Sequence, residues 1–181
     1  MGATMKNRQK GFSLIELLIV VAIIMIIAAI AVPNLLRSRM SAAQASAVAS
    51  VHAITLAATT YSSVYGNGFP PTLQSLGNNN SNTVTCTSAE LIDSLLTSGT
   101  KQGYNFNLVH GQVQVNSASS SCASGYGYSD GYMITAVPIT VGTTGQNSYC
   151  SDASGVIRVN PSGVANPGPA PNCASTDQPM Q

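Results

Sequence analysis

From position 17 to position 32 every residue is apolar, LLIVVAIIMIIAAIAV. Extending the run back to Phe12 adds Phe12, Leu14 and Ile15, with Ser13 and Glu16 as its polar interruptions. As a helix, residues 12–32 would span about 31 Å, close to the hydrocarbon thickness of a bilayer. Lys6, Arg8 and Lys10 stand just before it and hold that end in the cytoplasm. Everything beyond Pro33 is then expected on the outer side. Arg37 and Arg39 oppose this asymmetry, two basic residues against three, without reversing it.

Two bland readings share the basic head and the apolar run. A secretory signal peptide would use Ala29-Ile30-Ala31 as its small-x-small cleavage site, and a plain anchor needs only the run itself. Neither accounts for Glu16. A charged residue in a spanning helix costs about 2.5 to 3.5 kcal/mol at the midplane and less near an end, so it calls for a partner and a function. No basic residue lies between Glu16 and Arg37. The partner is therefore not a neighbour on the same helix.

The stretch from Lys10 through Gly11, Phe12, Ser13, Leu14, Ile15 and Glu16 into the apolar run closely resembles the class III signal of type IV pilins and pseudopilins, most like a bacterial type IVa-type pilin. The resemblance implies a cut by a prepilin peptidase between Gly11 and Phe12 and N-methylation of Phe12. Residues 1–11 are then a leader, or seven residues of one if translation starts at Met5. Glu16 becomes the fifth residue of the mature chain, where the family has its glutamate. Cleavage creates a positive amine at the start of a lipid-embedded helix. Glu16 of one subunit can neutralise the Phe12 amine of another as helices slide together. Pairing with its own amine is geometrically open as well, but would not drive assembly.

Charged residues make up 7% of the 181 residues, and Ser, Thr, Asn, Gln and Gly supply the polar surface instead. The net charge of +1 becomes −2 once the three leader cations are gone, which leaves no basic footprint for nucleic acid. Cys86, Cys122, Cys150 and Cys173 are widely spaced, with no C-x-x-C pair for zinc or redox work. An even count beyond a membrane segment favours disulfides in an oxidising compartment. Shorter loops favour Cys86 with Cys122 and Cys150 with Cys173, the second bond pinning a loose tail.

After Pro33, Leu36, Met40, Ala43, Ala47, Val51, Ile54, Ala58, Tyr61 and Tyr65 recur at steps of three and four, an amphipathic stripe. Residues 12–65 contain no glycine, so one spine helix is expected, kinked at Pro33 by the lost bond to the Ala29 carbonyl. His52 falls on the flank of the stripe as a solvated or packed residue. Gly66, Gly68 and Pro70 end the helix. Leu73 and Leu76 anchor a loop, the polar run 78–82 includes a sequon at Asn79, and residues 88–96 read as a short helix capped by Ser88. Alternation of Tyr104, Phe106 and Leu108, then of Val113 and Val115, reads as a hairpin turning at His110-Gly111. Residues 131–137 form a third strand ended by Pro138, and residues 149–159 a second hairpin around Asp152-Ala153-Ser154-Gly155. Residues 161–181 form a Pro- and Gly-rich tail.

The expected fold is α+β: a long N-terminal spine helix (12–65), transmembrane in its first half and amphipathic in its second, packed on a small antiparallel sheet of about four strands within a head (66–160). No hydrolase, nucleotide-binding or metalloprotease motif is present, so neither an enzyme nor a cofactor is expected. The resemblance implies a self-polymerising filament subunit, processed by the peptidase and extracted from the inner membrane by assembly machinery. Such extracellular filaments serve adhesion, motility, DNA uptake or surface contact. One alternative is a pseudopilin of a type II secretion system, a group whose major members carry an acidic calcium loop near the C-terminus. Here that region offers Asp130, Asp152 and Asp177, well separated. The other alternative is an unprocessed membrane-anchored binding module.

Overall fold

Helix α1 (Leu14–Tyr65) is continuous through Pro33 in the computed structural model, which describes residues 12–78, 83–116, 122, 126–165, 168 and 171–180. Pro33 offers no N–H to the preceding turn, and next to it the Asn34 side-chain amide donates to the Ile30 carbonyl (3.1 Å). Gly66 terminates the helix in the left-handed region (φ 64°), its N–H bonded to the Ser62 carbonyl. The described residues fall into two units, one up to Ser38 and one from Arg39 onward.

In the first unit the apolar side chains of α1 are uncovered: Leu14 is 81% exposed, Ile24 58% and Leu36 60%. A soluble helix does not present such a surface to water, and its length and composition suffice to cross a membrane.

The second unit is built around the remainder of α1. The short helices α2 (Leu73–Leu76) and α3 (Ser94–Thr97) precede strands β1 (Thr100–Lys101), β2 (Tyr104–His110), β3 (Tyr132–Pro138), β4 (Ser148–Asp152), β5 (Ile157–Asn160) and β6 (Gln178–Pro179). They form one antiparallel sheet in sequence order. The α+β class expected from sequence is the observed one. The sheet has six strands where about four were expected, the two-residue edges β1 and β6 being too short to leave a periodic signal.

The stripe works from Ala47 onward: Ala47, Val51, Ile54, Ala58, Tyr61 and Tyr65 are buried against Tyr104, Phe106, Tyr132, Ile134, Ala136 and Tyr149. Leu36, at its head, lies in the first unit and is exposed, whereas His52 is exposed as a solvated flank residue. With no tryptophan in the chain, tyrosines fill this core and carry their hydroxyls to backbone acceptors. Tyr61 donates to the Cys86 carbonyl (2.9 Å), Tyr65 to Thr85 (3.1 Å), Tyr104 to Asn147 (2.9 Å) and Tyr132 to Thr55 (3.3 Å). Burial pushes the Tyr104 and Tyr132 phenols up to about 12. Met133 points to the opposite face of β3 and joins Cys150, Cys173 and Val109 in a second, small core.

Two local expectations are corrected. The helix expected over 88–96 shrinks to α3, because residues 88–92 run alongside α2 instead. The Ala89 N–H bonds the Ser75 carbonyl, Glu90 bonds Gly77, and Leu91 and Ile92 both bond Leu76. Asp93, not Ser88, is the cap, its carboxylate accepting the Leu96 N–H (2.8 Å) while Lys101 pairs with its other oxygen (2.8 Å). These contacts hold the Asp93 carboxyl below its usual range, the Lys101 hydrogen bond contributing most.

The hairpin expected to turn at His110-Gly111 does not turn there. Residues 111–115 continue the β2 direction and bond to 127–131: Gly111 N–H to the Gly131 carbonyl, Ser129 N–H to Val113, and Val115 N–H to Gly127. The Asp130 carboxylate bridges the irregular step by accepting the Gln112 and Val113 N–H groups (2.6 and 3.0 Å). Those bonds, led by the one from Gln112, hold the Asp130 carboxyl below its ordinary range. His110 stacks on Tyr128 with ring centroids 3.8 Å apart.

Candidate processing and assembly site

Gly11, the expected cleavage position, lies outside the described residues, as do the leader and the Asn79 sequon. The described chain opens at Phe12, whose side chain is 87% exposed. Ser13 precedes the first helical residue, and its carbonyl accepts the Glu16 and Leu17 N–H groups. In return the Glu16 carboxylate approaches the Ser13 N–H at 3.5 Å. Ser13 and Glu16 thus have the spacing of a capping box, with the acid also placed where the helix dipole favours negative charge. The S-x-x-E spacing of Ser13 and Glu16 is the sequence signal for this cap. Capping and pairing between subunits are compatible, since a carboxylate has two oxygens and about four acceptor sites.

Beyond the first turn, the surface offered by residues 17–32 is hydrocarbon. Its chemistry is confined to solvation by lipid or by other apolar helices, and Glu16, in the first turn, is the single ionisable group of α1 before Arg37.

At the other end of the chain, the structure joins Cys86 to Cys122 and Cys150 to Cys173, with Cα separations of 5.6 and 5.9 Å. The second bond ties the C-terminal segment to β4. Asp152 reinforces it: one carboxylate oxygen accepts the Ser154 N–H (2.9 Å) and the other the Cys173 N–H (3.1 Å). Burial opposes ionisation of Asp152, but bonds from Ser154 and Cys173 together with the nearby Arg158 outweigh it and keep the carboxyl below its ordinary value. β6 completes the attachment, with Arg158 opposite Pro179 and Val159 opposite Gln178. Sequence reasoning missed Asp130 and Asp152 as loop organisers, because an isolated Asp carries no motif. Among the described residues no group of three or more His, Cys, Asp or Glu side chains is placed to hold a metal ion.

A family model described as the prokaryotic N-terminal methylation motif matches residues 6–32, the segment whose apolar helix and Glu16 have just been described. Over this N-terminal segment the chain is similar to the type IV pilins and pseudopilins. It is also similar to the type II secretion system core protein G of Aeromonas hydrophila, at 38% identity over 71 residues. That match covers 39% of this chain and 49% of the relative, so the chain spans about half the length of the curated relative it matches. No solved structure matches the chain significantly. The motif together with an uncovered apolar helix fits a membrane-anchored precursor.

Proposed function

We propose that this chain is the structural subunit of a type IV pilus filament, with no catalytic role of its own. Prepilin peptidase cuts between Gly11 and Phe12, Phe12 is N-methylated, and residues 12–32 hold the subunit in the inner membrane with its head outside. Assembly machinery then transfers it into an extracellular homopolymer joined through α1. Pro33 is the point at which α1 bends as subunits pack. Adhesion, motility and DNA uptake are all open to such a filament.

The observation that carries this reading is a fully uncovered apolar helix with one carboxylate in its first turn, four residues from the new terminus. In a low-dielectric bundle an unpaired amine is strongly disfavoured, and Glu16 of an adjoining subunit supplies the missing charge. A second reading, a pseudopilin of a type II secretion system, is favoured by the similarity to core protein G. The pilus reading gains support from the C-terminal acids. Asp130 and Asp152 each commit both carboxylate oxygens to backbone N–H groups, which leaves them as loop braces.

Glu16→Gln tests the assembly role, since it preserves size while removing the charge. The variant is expected to insert, to be cut after Gly11 and to form both disulfides, yet to yield few or no filaments in cells lacking the wild-type subunit. Wild-type amounts of filament built from that variant would refute charge pairing.

A further inference from the structure

Arg37 and Arg39 have no place in the processing and assembly scheme, and they run against the charge asymmetry that orients the helix. Arg39 stands three residues past Leu36, about 4.5 Å further along the helix, and about 10 Å past Val32. The headgroup layer reaches about 5 to 8 Å beyond the hydrocarbon, so with residues 12–32 filling that hydrocarbon the Arg39 backbone stands just outside the layer, at a distance its long side chain can span.

Arg39 also lines a surface groove of about 400 Å³, together with Ala42, Ala43, Gln102, Gly103, Thr143 and Thr144. The wall opposite the helix is a two-residue turn between β1 and β2. Gln102 (φ 51°) and Gly103 (φ 81°) both take the left-handed conformation that a tight hairpin of this twist requires. For Gln102 this conformation is uncommon. Thr144 is braced by bonds between its hydroxyl and Thr140, whereas Thr143 and Gln102 are exposed along the rim.

The electrostatics are one-sided. None of the six acids of the chain lines this groove. Asp93 is paired with Lys101, Asp130 and Asp152 are held by backbone N–H groups, and helix α1 carries no acid after Glu16. A second copy of this helix therefore has no carboxylate beyond its first turn to offer Arg39. A guanidinium flanked by an amide, a hydroxyl and two alanine methyls suits a phosphate whose substituent is apolar.

We propose that the groove binds the phosphate of an anionic phospholipid headgroup from the outer leaflet of the membrane that α1 crosses. Arg39 is the principal contact, and Gln102 and Thr143 are supporting donors. This rests on the membrane-anchored reading of residues 12–32. The bound lipid fixes the depth of the head at the membrane surface before assembly, and it must be released when the subunit is extracted.

The test uses the full chain, disulfides intact, in detergent micelles supplied with phosphatidylglycerol, phosphatidylcholine or inorganic phosphate, with bound lipid read by native mass spectrometry. Phosphatidylglycerol should be retained in preference to phosphatidylcholine. Arg39→Gln should weaken that retention about tenfold, equivalent to about 1.4 kcal/mol, and Thr143→Val should weaken it by a smaller factor. Arg37→Gln should leave most of it. Equal retention by wild type and Arg39→Gln overturns the proposal. So does an equal loss in Arg37→Gln, which would mean general surface charge. Full competition by inorganic phosphate would make this a free-anion site and overturn the lipid assignment. A loss of self-association in Arg39→Gln with unchanged lipid retention would assign the groove to a second copy instead. Insertion into pure phosphatidylcholine vesicles is scored separately, since its failure would strike the membrane-anchored reading and not the groove.

Discussion

Asp152 gives the sharpest test of how the C-terminal segment is held. Its side chain is 8% exposed, and its two oxygens accept N–H groups from Ser154 and from Cys173, 21 residues away. Asp152→Asn keeps one acceptor and turns an amide N–H2 toward a backbone N–H. Hydrogen bonds to charged groups are worth roughly 1.5 to 3 kcal/mol net, so a loss of about 2 kcal/mol is expected at neutral pH. For a head of this size that is about 1 M in urea midpoint, with a slope near 2 kcal/mol per M. The disulfide-intact chain in detergent, followed by tyrosine circular dichroism, supplies the reading.

The pH dependence fixes the cause. The folded-state value of Asp152 is lowered from an ordinary 3.8. Its contribution is therefore complete above about pH 4, and it is lost as pH falls below 3.8 through the lower folded value. The gap between wild type and Asp152→Asn should narrow across that acid window and stay constant above it. Equal midpoints at neutral pH, or a gap undiminished at about pH 2, would refute the assignment.

Replacing both Cys150 and Cys173 by serine, across a separation of 23 residues, should cost about 3.4 kcal/mol by the chain-entropy model and open the last residues to proteolysis; an unchanged unfolding midpoint would contradict this. Ile54→Ala, at a fully buried position, should lower stability by about 2 to 5 kcal/mol. Leu56→Ala, at a side chain 61% exposed on the same helix, should change it by less than about 0.5 kcal/mol; similar urea midpoints for the two would mean the wrong face had been placed inward. Gly11→Val should block cleavage, and unprocessed chain should collect in the inner membrane. A normal Phe12 terminus in that variant would sink the assignment of the cut.

Long-period features were legible in the sequence. The step pattern from Ala47 to Tyr65 reports which face of α1 is buried because burial is imposed at every turn. The alternation of Tyr104, Phe106 and Leu108 reports β2 for the same reason. The segment 88–92 was misread because its local helix propensity yields to carbonyls of residues 75–77, partners distant enough to leave no local trace. His110-Gly111 looked like a turn, and a carboxylate 19 residues beyond Gly111 lets the chain run straight on. β6 is legible only after Cys173 is known to be tied to Cys150. At the candidate site, the run of hydrocarbon and Glu16 stood out at once, whereas the capping role of Ser13 was overlooked. The groove at Arg39 depends on a turn and a loop more than 60 residues away in sequence and could not be read from the chain.

The filament assignment is tested most directly by shearing surface filaments from cells, imaging them by electron microscopy and weighing their constituent chain. The expected chain begins at Phe12, carries one added methyl group on its terminal amine, and is four hydrogens lighter than its fully reduced form because of the two disulfides. Filaments lacking this chain, or a chain that stays in the membrane with Lys10 and Gly11 still attached, would contradict it.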